Sequence, residues 1–156
     1  MSVRRFFLVG IAVLAAVAVV ALVAIFSSNR PDSDRGTRFA TTEDLRERGV
    51  IEFPEYELFL VWNDGDPLVL SSDAQHIPNE NVVWCESSEM FESPAHGEKF
   101  DSRGFYYGGP AQSGLARYPY AIIDGLIYST LEHATEGPAR GEGSPHEPEG
   151  RFCVAD

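Results

Sequence analysis

Cysteine is scarce in this chain. Cys85 and Cys153 are the only two among 156 residues, too few for four-thiolate metal sites or for a dense disulfide framework. Basic residues are also few, 12 against 24 acidic ones. All 24 carboxylates lie beyond residue 26, whereas two of the 12 basic residues, Arg4 and Arg5, lie before it. Residues 27–156 therefore carry a net charge of −14, against −12 for the whole chain. So anionic a surface repels phosphate at long range, which excludes nucleic acid as a partner. The length excludes a multidomain enzyme, yet a chain of this size can bury roughly 65% of its unfolded surface and fold without disulfides. Beyond residue 26 there is no long amphipathic helix, which argues against a bundle, and there is no internal repeat.

The segment before that point is of another kind. Residues 6–26 form an unbroken apolar run of 21 residues without charge, and at about 1.5 Å per helical residue this length crosses the hydrocarbon layer. It exceeds the h-region of a secretory signal. The small-residue site Ala16-Val17-Ala18 would also leave an apolar stub after cleavage, so the run reads as an uncleaved transmembrane helix. Arg4 and Arg5 favour a cytoplasmic N-terminus, residues 1–5, with the remainder extracytoplasmic at the cell membrane, although Arg30, Arg35 and Arg38 weaken that asymmetry. Arg4-Arg5-Phe6-Phe7-Leu8 also resembles the twin-arginine export signal. The alternative is that both arginines only set topology.

Residues 27–37 are polar with Pro and Gly, a flexible linker. Thr41 or Thr42 can cap a short helix through Leu45 and Arg48 that stops at Gly49. Residues 56–63 and 67–71, rich in aromatic and branched side chains around Asp64-Gly65, predict a hairpin. Residues 117–123 and 126–129 around Asp124-Gly125 predict a second one. Between them, 82–85 and 89–92 predict two shorter strands. The expectation is an all-β sandwich or barrel. Residues 131–156, dense in Gly, Pro and Glu, are too poor in apolar side chains for a core element and read as an acidic tail, mobile or draped over the surface.

Residues 91–101 read Phe-Glu-Ser-Pro-Ala-His-Gly-Glu-Lys-Phe-Asp, then come Ser-Arg-Gly and, at 108–115, Gly-Gly-Pro-Ala-Gln-Ser-Gly-Leu. This stretch resembles the second cluster-binding box of Rieske iron–sulfur proteins, F-x-C-P-C-H-G-S-x-F/Y-D followed by a glycine and a G-P-A-P loop. His96, Gly97, Phe100, Asp101, Gly104, Gly109, Pro110, Ala111 and Leu115 fall in register. The family's first box, C-x-H-L-G-C, then maps onto residues 74–79, Ala-Gln-His-Ile-Pro-Asn, directly after a predicted strand. The resemblance covers about residues 38–130 and implies a Rieske-like β-sandwich domain behind the membrane helix.

The resemblance also locates departures. A [2Fe–2S] centre of this family needs two thiolates and two imidazoles. His76 and His96 keep the imidazole positions, but the thiolate positions are Ala74 and Ser93. Alanine offers no donor, and a serine hydroxyl is a poor substitute for soft sulfur. The family's disulfide staple falls on Asn79 and Ala95, and its hydrogen-bond donors to the cluster fall on Glu98 and Phe100. Cys85, eight residues before Ser93, is at a framework position. No cofactor is therefore expected, and no catalytic residue.

The sequence reading is a noncatalytic assembly or docking subunit of a membrane complex, of the respiratory kind, whose partners are the lipid bilayer and other subunits. The alternatives are an electron carrier with other ligation, or a single zinc, copper or iron ion held by His76 and His96 with water or a carboxylate such as Glu98. Ser93, His96 and Asp101 have the residue types of a hydrolytic triad but lie on one loop without a nucleophile elbow. His133 and His146 read as solvated. Cys85 and Cys153, in an oxidising compartment, could pair and tie the tail to the domain, or stay apart.

Overall fold

Asp64-Gly65 and Asp124-Gly125 each place two successive residues at positive φ, 46° and 102°, then 51° and 75°. That is the geometry of a two-residue hairpin turn matched to strand twist. The computed structural model describes residues 35–74, 80–143 and 145–154. The apolar run 6–26, the twin-arginine-like start and His76 lie outside the described residues. Among the described residues no helix is long and apolar enough to cross a membrane.

Strand β1 (Thr37–Thr41) leads into helix α1 (Thr42–Arg48). Thr41 caps α1 by accepting the Asp44 N–H at 3.0 Å, and the Gly49 N–H closes its end on the Leu45 carbonyl. Then come β2 (Val50–Phe53), a 3-10 turn (Pro54–Tyr56), β3 (Leu58–Asn63) and β4 (Asp66–Ser71). Strands β5 (Val83–Cys85), β6 (Met90–Glu92), β7 (Lys99–Asp101) and β8 (Tyr106–Gly108) follow, and β9 (Ala121–Ile123) and β10 (Leu126–Ser129) close the series.

The strands build three antiparallel sheets, in the orders β1-β10-β9, β2-β3-β4 and β5-β6-β7-β8. The expected all-β domain is found as a mostly-β one: among the described residues the strands divide among three small sheets, with one seven-residue helix. Sheet β2-β3-β4 is the middle layer, because side chains alternate across a strand. Phe59 and Val61 of β3 and Leu70 of β4 pack with Phe91, Phe100 and Leu115 on one side. Leu58, Leu60 and Val69 pack with Leu45, Ile51 and Ile127 on the other. A strand buried on both faces has no polar alternate positions, hence the continuous apolar run in β3.

Residues 117–123 do not form one strand. Only Ala121–Ile123 pair with β10, while Arg117 bridges Leu70 on β4 and Thr135 beyond β10. Pro119 lies between these two stretches, and proline has no N–H to donate to a ladder. Thr37, counted with the linker, opens β1 and pairs with Ser129.

Residues 130–143 and 145–154 run along the domain surface. Gly114 N–H donates to the Pro138 carbonyl at 2.7 Å, and Arg117 and Thr135 exchange backbone hydrogen bonds of 2.9 and 2.8 Å. Further on, the chain is fastened by two buried carboxylates. Asp101 accepts the His146 N–H at 2.9 Å, and Glu92 accepts the N–H groups of Cys153 and Val154 at 3.3 and 2.7 Å. Cys153 is disulfide-bonded to Cys85, with 5.8 Å between the Cα atoms.

Candidate functional site

The first box region begins where β4 ends. Ala74 is buried among Phe91, Phe100, Ala111 and Leu115. Its N–H donates to the Glu80 carbonyl at 3.0 Å, and Asp73 bridges Asn81, so the chain on both sides of 75–79 is pinned together. Residues 75–79, including His76 and Asn79, are outside the described residues. Glu80 is the first residue after them, and its carboxylate reaches across to the second box.

The second box is the connection between β6 and β7. Ser93, fully buried, closes it: the Ser93 N–H donates to the Glu98 carbonyl at 2.8 Å, and its Oγ accepts the His96 N–H at 3.1 Å. The Ser93 hydroxyl proton goes to Glu80 Oε1. The other oxygen of that carboxylate, Oε2, lies 2.5 Å from His96 Nδ1, whose ring is 40% exposed. One carboxylate thus links the thiolate position and the imidazole position of the second box. Donation from Ser93 holds the Glu80 carboxyl below its ordinary range against its partial desolvation, with the His96 ring acting in the same direction as Ser93.

Glu98 lies directly before β7 and is fully buried, yet among the described residues neither carboxylate oxygen has a hydrogen-bond partner. The loop after β8 covers it. A Cβ on Gly109, whose φ is 95°, would stand 2.7 Å from the Glu98 Cα, so that position requires glycine. Tyr106 O–H holds the loop by donating to the Gly109 carbonyl at 2.6 Å. Ligand atoms of Glu80, His96 and Glu98 all lie within 4.8 Å of one another. An open groove beside them is lined by His96, Lys99, Tyr107, Gly109 and Phe152.

The other sequence candidates have structural partners. Asp101 is no triad member: it accepts the backbone N–H groups of Arg103 and Phe105, each at 2.9 Å, and pairs with the Arg103 guanidinium at 2.8 Å. Cys85 is committed to its disulfide and is not available as a ligand. Phe100 is a core residue and Ala95 is exposed on the loop. His133 is exposed, and His146 uses its backbone N–H on Asp101. Glu80 was missed by the sequence reading. The only available signal was its place one residue past the first box.

A cofactor can be tested against these residues directly. A [2Fe–2S] cluster of the two-histidine type needs two thiolates. Ala74 supplies a methyl group in the apolar core, and Ser93 supplies a buried hydroxyl already committed to Glu80. The donor set present is oxygen and imidazole, which suits a single harder ion better than an iron–sulfur cluster.

The fold and these paired loops define a small antiparallel domain with a two-box tip. No family model and no curated protein matches the chain. Among solved structures, the plasma membrane Rieske protein PetC3 of the cyanobacterium Synechocystis PCC 6803 is similar at a TM-score of 0.50 and 24% identity, covering 60% of this chain and 97% of that one. The ferredoxin of carbazole 1,9a-dioxygenase from Nocardioides aromaticivorans IC177 is similar at a TM-score of 0.41 and 19% identity, covering 65% and 96%. The domain described here has a Rieske-like fold.

Proposed function

We propose that this chain is a membrane-anchored Rieske-like module that does not carry the family's cluster and serves as a noncatalytic docking or assembly subunit of a membrane complex, of the respiratory kind. The observation that carries the reading is the Glu80 link. Where two thiolates and two imidazoles would have to converge, Ser93 and His96 are both engaged by one carboxylate, and Ala74 is part of the core. The framework around this link is kept: Gly97 and Gly109 hold positive φ, and Asp101 organises the loop after β7. A fold kept while its donors change suits a role in binding partners rather than in carrying electrons. The anchor rests on the apolar run 6–26, and the extracytoplasmic placement of the domain rests on Arg4 and Arg5 directly before that run.

The test uses the full chain in mild detergent. Anaerobic reconstitution with iron and sulfide should leave both well below stoichiometry, and the reduced sample should lack a two-histidine cluster signal by paramagnetic resonance. Iron and acid-labile sulfide each near two per chain would sink the reading in favour of an electron carrier. The docking role predicts that the chain, solubilised from its own membranes, migrates within a stable larger assembly. Migration as a lone polypeptide would count against it.

A further inference from the structure

Three acidic side chains are fully buried among the described residues, and two of them are well provided for. Glu92 accepts from the Ser88 hydroxyl and two backbone N–H groups. Asp101 accepts from three backbone N–H groups and the Arg103 guanidinium. Glu98 has no hydrogen-bond donor on either oxygen among the described residues. Burying a carboxylate without compensation is costly, and among the described residues no hydrogen bond offsets that cost. The unpartnered carboxylate faces the pair formed by Glu80 and His96, with ligand atoms of all three within 4.8 Å of each other.

We propose that Glu80, His96 and Glu98 form a mononuclear site for a divalent transition-metal ion. A cation between them neutralises the buried Glu98 carboxylate and the adjacent Glu80 carboxylate together. One imidazole and two carboxylates are a borderline donor set, taken by zinc and its neighbours in preference to calcium or magnesium, which favour all-oxygen shells. Ligands about 2.1 Å from a tetrahedral zinc stand roughly 3.4 Å apart. The three groups therefore need to move by about an ångström, His96 Nδ1 and Glu80 apart and Glu98 inward. Any proton held between His96 and Glu80 leaves as the ion enters. Water completes the coordination from the open side, where His96 meets the groove. The site does not depend on His76, and it rests on the reading that no cluster fills these loops.

The experiment titrates Zn2+ into the chelator-treated full chain in detergent, against a chromophoric competitor. The expected result is one tight ion per chain, with affinity falling at least tenfold in Glu98→Gln and in His96→Ala and unchanged in Glu43→Gln, an exposed acid on α1. No saturable uptake, or unchanged affinity in both site variants, overturns the proposal. Should Glu98→Gln fail to fold, the unmutated chain still decides. Zn2+ must shift the imidazole resonances of His96, assigned by their loss in His96→Ala, and unshifted resonances overturn the site. Iron and sulfide analysis of the same sample separates the two readings. A cluster at two irons per chain overturns both, whereas neither cluster nor zinc overturns this one alone.

Discussion

Single residues set the geometry of the tip, and two of them give sharp expectations. Replacing Gly109 with alanine forces a Cβ to within 2.7 Å of the Glu98 Cα and 2.8 Å of the Gly97 carbonyl oxygen, at a φ of 95°. Both neighbours are backbone, so the loop must move, and the expected loss is about 2–4 kcal/mol by urea denaturation. Gly65→Ala is the control: its φ is 102°, but nothing lies within 4 Å of the added carbon, and a loss of only about 1 kcal/mol is expected. Equal losses would mean that the Pro110 loop does not press on Glu98. Asp101→Asn keeps the shape but removes the charge facing Arg103 and weakens its backbone contacts, at an expected cost of roughly 3 kcal/mol. A thermal midpoint like the parent's would contradict that. Gly97, Asp101 and Gly109 were legible in the sequence because each does a fixed backbone job at a fixed spacing. Glu80 was not, since the sequence of a loop does not state which of its side chains turns inward.

Among the elements, the two hairpins around Asp-Gly were legible, because two runs rich in aromatic and branched side chains joined by a turn dipeptide have one economical folding. The strands β7 and β8 were not: three residues show no period of two, and Lys-Phe-Asp and Tyr-Tyr-Gly lack the run of apolar side chains that marks residues 82–85. Strand β1 hides at the end of a polar linker, and its pairing partner is β10, nearly ninety positions away in the sequence. The C-terminal segment is the larger lesson. Its composition offers no core residues, and it is held instead through its own backbone N–H groups, donated to Asp101 and Glu92, and through the Cys85–Cys153 bond. Hydropathy cannot register that kind of attachment. The bond spans 68 residues, so its removal in a Cys85→Ser, Cys153→Ser variant should cost about 4 kcal/mol. Amide exchange should quicken across 145–154 while β3 stays protected. Unchanged exchange there would show that Glu92 and Asp101 hold the segment without the bond.

For the whole molecule, the proposed anchor raises the question of which side of the membrane the domain occupies. Gly141 is exposed, and nothing lies within 4 Å of where its Cβ would be, so an epitope inserted after it should leave the fold intact. Antibody added to sealed, right-side-out membranes should bind that epitope without detergent. Binding only after permeabilisation would reverse the proposed topology. With the proposed anchor at one end and a partner bound at the other, the chain would carry load whenever that partner moves, and the disulfide then has a mechanical meaning. It makes residues 85–153 a covalent ring that contains the second box, the loop after β8 with Pro110, and the β9–β10 hairpin, and leaves the first box outside. Tension drawn between the two ends of the chain bypasses everything inside the ring. The 68-residue span is withheld from extension, shortening the stretched contour by about 240 Å at roughly 3.6 Å per residue. Force therefore falls on β1 to β4, and β1 peels from β10 while the second box stays closed on itself.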